Sequence, residues 1–113
     1  MHEYSIVQAL VDRVDAEVRA RRATAVHCLS VRIGELSGVE VDLLTTAYET
    51  FRARTVCEDA ALQVQRVPAR WECPSCGRSI GRGEWLTCPL CIVPARLTQG
   101  DEIMLDRIEM EVP

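Results

Sequence analysis

The sequence predicts an α+β fold in which two helices pack on a small three-stranded mixed sheet that a cysteine-rich insert interrupts. Three observations predict this fold. Apolar residues recur at helical spacing in two segments, they alternate in three others, and four of the six cysteines fall within one short stretch. A chain of 113 residues with 48% hydrophobic and 27% charged residues fits one globular domain, or one domain with a small insert.

Both helices are predicted from apolar residues three and four positions apart. The first helix is expected from Glu3 to Arg22 and the second from Val41 to about Arg54. The apolar positions are Val7, Leu10, Val11, Val14 and Val18 in the first helix, and Val41, Leu44, Ala47, Tyr48 and Phe51 in the second. In the first helix, Glu3 stands at the start and arginines stand at the end, where the helix dipole favours each charge.

Three strands are predicted from alternation of apolar and polar residues. The first, Val26–Ile33, ends in a glycine-containing loop at residues 34–38. The second is predicted over residues 62–67, before Pro68. The last covers residues 102–112, and its apolar phase changes between Leu105 and Ile108, which predicts a β-bulge.

Composition and charge exclude several functional classes. Thirteen basic and seventeen acidic side chains give a net charge of −4 and a pI near 5.2, which argues against nucleic-acid binding by charge. No apolar run approaches the roughly 18–20 residues of a membrane helix. The first residues lack the features of a signal peptide, so we expect a cytoplasmic protein. A reducing compartment favours metal binding by cysteines over disulfide formation.

The strongest motif is a pair of CxxC sequences, Cys73-Pro-Ser-Cys76 and Cys88-Pro-Leu-Cys91, with eleven residues between them. Two residues between cysteines allow a tight turn to direct both sulfurs at one ion. Two such turns provide the four thiolates of a tetrahedral zinc site. The insert has little apolar content, so we expect zinc binding to supply much of its folding free energy.

Other chemistries remain possible for the four cysteines. They could form two disulfides, one CxxC could be a thioredoxin-like redox pair, or the set could hold iron as in a rubredoxin. A zinc-ribbon adaptor for protein or nucleic acid is the alternative function. The residues offer no nucleophile and base for catalysis, and a closed four-thiolate site leaves no open metal position, so we do not expect an enzyme.

The N-terminus offers a second donor set. The terminal amine, the amide nitrogen of His2 and its imidazole can form adjacent chelate rings on one ion, and Ni(II) and Cu(II) prefer such nitrogen-rich sets. The first amides of a helix have no intrahelical acceptor, so the His2 nitrogen is available for coordination. Glu3 could bind the metal or orient the imidazole. A terminal histidine without any role is the alternative.

Three parts of the chain together resemble the HypA/HybF family of hydrogenase-maturation nickel chaperones. They are the start Met1-His2-Glu3-Tyr4-Ser5-Ile6, the loop Ile33-Gly34-Glu35-Leu36-Ser37-Gly38-Val39-Glu40, and the double CxxC motif. The ending also fits, as Gly100-Asp101-Glu102 followed by Ile108-Glu109-Met110-Glu111. One departure stands out, because Ile92-Val93-Pro94 replaces the Gly-Ser turn that is usual after the last cysteine.

The resemblance implies a nickel-binding α/β domain, residues 1–69 with 97–113, and a zinc-ribbon-like domain, residues 70–96. It implies Ni(II) as transient cargo on His2 and Glu3, and structural Zn(II) on Cys73, Cys76, Cys88 and Cys91. The implied partners are the hydrogenase-maturation GTPase and the large subunit of a [NiFe]-hydrogenase. For some members of the family, the implied partners also include urease maturation proteins. We expect the chain to be a monomer or a homodimer.

The remaining cysteines, histidine and tryptophans are expected to have structural roles. Cys28 and Cys57 are interpreted as ordinary reduced cysteines. His27 shares the phase of Leu29 and Val31, so it is expected as a packed or edge imidazole rather than a ligand. Trp71 and Trp85 are expected to cover the apolar side of the insert.

Overall fold

The computed structural model describes residues 3–81 and 83–113. His2 therefore lies outside the described residues, and so does Arg82. The elements in chain order are α1 (Glu3–Arg21), β1 (Ala25–Gly34), α2 (Val41–Phe51), β2 (Ala61–Val67), β3 (Arg70–Glu72), β4 (Ser79–Ile80), β5 (Arg96–Gln99) and β6 (Ile103–Glu111).

The first sheet has three strands in the order β2-β1-β6. β1 pairs in parallel with β2 and antiparallel with β6, so the sheet is mixed, as predicted. Its last strand, β6, follows the cysteine-rich segment in the sequence. The register between β1 and β6 shifts where Ser30 pairs with Arg107 and Val31 pairs with Leu105, which confirms the predicted bulge in β6.

Both helices pack on one face of this sheet around a single core. The core buries one side of α1 and alternate positions of β1, because helical spacing and strand alternation each place those side chains on one face. Its largest fully buried side chains are Tyr48, Leu29, Leu44, Val7, Val14 and Val31. Neither described helix is long and apolar enough to cross a membrane.

The ends of the helices differ slightly from the predicted ends. α1 stops at Arg21 because Arg22 takes a left-handed conformation (φ 53°), and the Ala23 N–H donates to the Val18 carbonyl at 3.0 Å. α2 ends at Phe51 rather than near Arg54. A series of turns follows it, in which Arg54 also has a positive φ of 63°.

The cysteine-rich segment forms a second three-stranded sheet in the order β4-β3-β5, all antiparallel. Its small core groups Cys73, Ile80 and Cys88, with Trp71 packed against them. β5 spans the predicted domain boundary between residues 96 and 97. The molecule is elongated, with a radius of gyration of 18.0 Å. A compact domain of this length would have about 13 Å.

Candidate metal centres

Cys73, Cys76, Cys88 and Cys91 meet in space, and their four sulfur atoms all lie within 4.8 Å of one another. The Sγ atoms of Cys76 and Cys88 are 3.9 Å apart. Among residues 3–81 and 83–113, this is the one group of three or more potential ligand side chains placed so closely. Cys73 and Cys88 are buried, whereas Cys76 is exposed.

Each CxxC motif forms a turn of the same design, which we call a knuckle. In the first knuckle the Cys73 N–H donates to the Arg78 carbonyl at 2.8 Å, and the Gly77 N–H donates to the Cys73 carbonyl at 2.9 Å. The second knuckle repeats both bonds, from Cys88 to Val93 and from Ile92 to Cys88, each at 2.9 Å. The repeated geometry directs two sulfurs from each turn toward the same point.

Backbone N–H groups also point at the sulfurs. The Cys76 and Ser75 N–H groups lie 3.5 and 3.4 Å from the Cys73 sulfur, and they lower the pKa of that thiol to about 6. The neighbouring thiols of Cys76 and Cys73 raise the pKa of Cys91 to about 12. A bound cation would favour the thiolate form of all four cysteines, because the thiolate is the ligand form.

The arrangement fits a tetrahedral metal site. A metal with bonds of about 2.3 Å to four sulfurs separates those sulfurs by roughly 3.8 Å, close to the distance between Cys76 and Cys88. A disulfide needs sulfurs about 2.05 Å apart. All six cysteines are free thiols in this structure. The four cysteines would hold the ion in a closed shell, which suits a structural role.

Glu3 is the first residue of α1, and its side chain reaches the start of α2. Its Oε2 accepts a hydrogen bond of 3.3 Å from the Glu40 N–H. Glu40 is the residue before α2, and its own side chain makes no capping hydrogen bond. A groove of about 650 Å³ opens beside this contact, with Val39, Glu40 and Asp42 in its lining. Glu3 therefore lies at the N-terminal end of α1, next to His2 in the sequence and in contact with the backbone at the start of α2.

The second histidine lies away from this end of the molecule. The register shift between Val26 and Cys28 leaves His27 without a partner in the β1–β6 pairing, and its ring is exposed rather than packed. The packed position that strand phase suggested is therefore not found, because a bulge changes which face a side chain points to. The His27 Nε2 lies 2.9 Å from Oε1 of Glu111.

Cys28 and Cys57 are buried free thiols that take no part in the metal cluster. Burial raises the pKa of the Cys57 thiol, which lies beside Tyr48. Such a thiol behaves as a small apolar side chain. Their predicted role as ordinary reduced cysteines agrees with these positions.

Only one of the two tryptophans lies where the sequence predicted it. Trp71 packs on the small core of the second sheet, as expected. Trp85 does not cover the insert, because its side chain is 90% exposed. A tryptophan in a segment with few apolar neighbours has too little surface against which to pack, and composition alone does not reveal this.

Two features of the site were not predicted from the sequence. The first is the hydrogen bond from the Glu40 N–H to Glu3, for which the only signal was the presence of both residues in the quoted motifs. The second is the backbone of Ile92, which has a positive φ of 53°. A left-handed conformation costs a residue other than glycine roughly 1–2 kcal/mol. The missing glycine after the last CxxC was the available signal for it.

Comparison with known proteins supports the same family. A family model described as "Hydrogenase/urease nickel incorporation, metallochaperone, hypA" matches residues 1–110. The chain is 37% identical over 113 residues to the hydrogenase maturation factor HypA of Shewanella oneidensis, covering 98% of this chain and 96% of the relative. It is also 37% identical to the factor of the same name from Wolinella succinogenes, over 114 residues and with the same coverage.

Solved structures agree in fold as well as in sequence. The solution structure of the Ni metallochaperone HypA from Helicobacter pylori matches with a TM-score of 0.72 and 31% identity, covering all of both chains. A second solution structure of a HypA protein matches with a TM-score of 0.78 and 32% identity, covering 97% of this chain and 96% of the other. The chain therefore belongs to the HypA family of nickel-incorporation proteins, which are metallochaperones and not enzymes.

Proposed function

We propose that this chain binds Ni(II) through its N-terminus, with His2 and Glu3 as the metal site, and delivers the ion for assembly of the [NiFe]-hydrogenase active site. The observation that carries the proposal is the position of Glu3 as the first residue of α1. The family match also begins at residue 1. Glu3 therefore lies at one end of a well-packed helix, directly after His2 in the sequence.

Donor chemistry supports nickel at this end. The amine of Met1, the amide nitrogen of His2 and its imidazole form a nitrogen-rich set of the kind that Ni(II) favours. The first amides of a helix make no intrahelical hydrogen bond, so a metal competes with no helical acceptor there. The carboxylate of Glu3 adds negative charge beside the cation.

The four cysteines supply the second part of the proposal. Cys73, Cys76, Cys88 and Cys91 are proposed to hold Zn(II) permanently, as a structural ion of the second sheet. The proposal is supported by the closeness of the four sulfurs and by the small core around them, in which Ile80 is the one buried apolar side chain besides cysteines among the described residues. A core of this size needs a metal to fold.

We also propose the division into a nickel domain, residues 1–69 with 97–113, and a zinc domain, residues 70–96. Two separate hydrophobic clusters and two separate sheets support it. The proposed partners are the hydrogenase-maturation GTPase and the large subunit of the hydrogenase, with urease maturation proteins as further candidates. We propose a cytoplasmic location, where these partners would be found.

A test in cells separates delivery from folding. The chromosomal gene is replaced by versions encoding His2→Gln, His27→Gln or the parent, and nickel in the isolated hydrogenase large subunit is measured together with hydrogenase activity. His2→Gln should lower both in medium of low nickel content. His27→Gln is the matched control, because it removes the other histidine from an exposed position paired with Glu111. Equal nickel contents for all three strains would refute the proposal.

A further inference from the structure

The two knuckles have the same backbone but different side chains. Gly77 and Ile92 are equivalent positions, since each N–H donates to the carbonyl of the first cysteine of its motif. Both take a left-handed conformation, with φ of 76° and 53°. Glycine adopts this conformation without a steric penalty, whereas a β-branched residue is destabilised in it.

Folding provides no reason for an isoleucine at this position. The side chain of Ile92 is 75% exposed, so it gains little from burial. Leu90, between the two cysteines of the same knuckle, is 77% exposed, and the first knuckle has Ser75 in its place. Trp85 precedes this knuckle and is 90% exposed. A strained backbone that presents an exposed apolar side chain is a feature associated with function.

The charges of the chain favour one class of partner at this end. Residues 70–96 contain four arginines and two glutamates, whereas the rest of the chain contains nine arginines and fifteen acidic residues. An acidic protein is therefore repelled by the body of the molecule but not by the second sheet and its knuckles. A partner that docks at this end would be selected by apolar contact and by carboxylates that pair with arginine.

We propose that Leu90, Ile92 and Trp85 form a docking surface, which we call the apolar knuckle, for a protein that presents an apolar pocket bordered by carboxylates. This inference rests on the proposed function, because delivery of nickel requires contact with another protein. A second copy of the chain fits less well. Symmetric pairing of two copies through the apolar knuckle would bring two positively charged ends together. Pairing of the apolar knuckle with a different face of a second copy would not close into a dimer.

Binding measurements with two defined proteins test the docking surface. The probes are the purified maturation GTPase and the purified precursor of the hydrogenase large subunit. Ile92→Gly and Leu90→Ser should each raise the Kd for one of these probes by about tenfold or more. Leu43→Ser removes another exposed leucine side chain (53%), from α2, and should leave both Kd values unchanged.

Stability and metal content distinguish docking from a structural role. Ile92→Gly should retain zinc and should have a Tm equal to or above that of the parent, because it relieves the left-handed strain. A loss of zinc in this variant would show that the side chain is structural and would overturn the proposal. Leu90→Ser changes no backbone conformation, so it tests the surface even if Ile92→Gly fails to fold.

Three further outcomes bear on the proposal. Unchanged Kd values for both probes in both variants would refute it. A change confined to self-association, measured by sedimentation, would identify a second copy as the occupant and would also refute it. Both variants should bind nickel as the parent does, and a parent that binds no nickel would refute the proposed function without altering the docking result.

Discussion

Gly34 and Gly100 lie in backbone contact where the chain passes between the two sheets. A methyl group on Gly34 would lie 2.2 Å from the carbonyl carbon of Gly100, and one on Gly100 would lie 2.5 Å from the Cα of Ala69. The Leu36 N–H donates to the Gly100 carbonyl at 2.6 Å. The Ala69 N–H donates to Oε1 of Glu35 at 2.8 Å. Both chain connections to the second sheet are thus held by the loop that follows β1.

Gly34→Ala should destabilise the protein strongly. The added methyl group meets backbone atoms, which cannot move aside, so we expect a loss near the upper end of the about 1–3 kcal/mol typical of overpacking. Urea unfolding followed by circular dichroism measures it. Gly81→Ala is the control, because the nearest atom there belongs to the flexible Glu84 side chain, and its effect should stay within about 0.5 kcal/mol. Equal stabilities of the two variants would contradict this interpretation.

Substitutions of Glu3 separate its charge from its hydrogen bond. Glu3→Gln keeps an oxygen acceptor for the Glu40 N–H, whereas Glu3→Ala removes it. The free energy of unfolding should therefore fall by about 0.5–1.5 kcal/mol in Glu3→Ala and change little in Glu3→Gln. If the negative charge contributes to the nickel site, both variants should bind Ni(II) at least about tenfold more weakly, as titration calorimetry would show. Parent-like nickel binding by Glu3→Gln would limit Glu3 to positioning the helix.

The sequence was sufficient to predict the first sheet, because its signals are local. Alternation in β1 and the phase change in β6 both correspond to observed features. The second sheet was not predicted strand by strand, because β3 and β4 have only three and two residues and pair through contacts distant in sequence. The exposure of Trp85 depends on those same contacts. The positions of the four cysteines could be predicted because metal geometry limits their spacing.

Loss of zinc should unfold the insert and leave the helices intact. Both tryptophans of the chain, Trp71 and Trp85, lie within residues 70–96, so tryptophan fluorescence reports on the insert alone. Cys88→Ala removes a fully buried ligand and should abolish stoichiometric zinc, shift the fluorescence and keep most of the helical circular dichroism. Cys28→Ala should retain zinc. A Cys88→Ala protein with parent zinc content and fluorescence would contradict the proposed site.

Stability should decline in alkaline solution because of two buried acids. Burial raises the pKa of Tyr48, whose O–H donates to the Ala60 carbonyl at 2.8 Å, and burial also raises the pKa of Cys57. The unfolded chain loses these protons first, so their stabilising contribution is complete below the unfolded pKa values of 9.0 and 10.0 and is lost as the pH rises above them.

Tyr48→Phe tests this pH dependence. It should cost about 1 kcal/mol at neutral pH, since one hydrogen bond is lost. Above pH 10 the free energy of unfolding should fall less steeply in Tyr48→Phe than in the parent. The difference in slope should be about 1.4 kcal/mol per pH unit, because the variant lacks one titrating group. Tyr4→Phe is the control, as that ring is 56% exposed. Unfolding at a series of pH values measures both, and parallel profiles for the parent and Tyr48→Phe would exclude this cause.

Two different ions should occupy the two donor sets, and metal analysis of untagged protein distinguishes the two sites in one experiment. After nickel is added and unbound metal is removed, the parent should contain about one nickel and about one zinc per chain. His2→Gln, and the parent with its α-amino group acetylated, should lose the nickel and keep the zinc, while His27→Gln should keep both. Stoichiometric nickel in the His2→Gln protein would contradict the account.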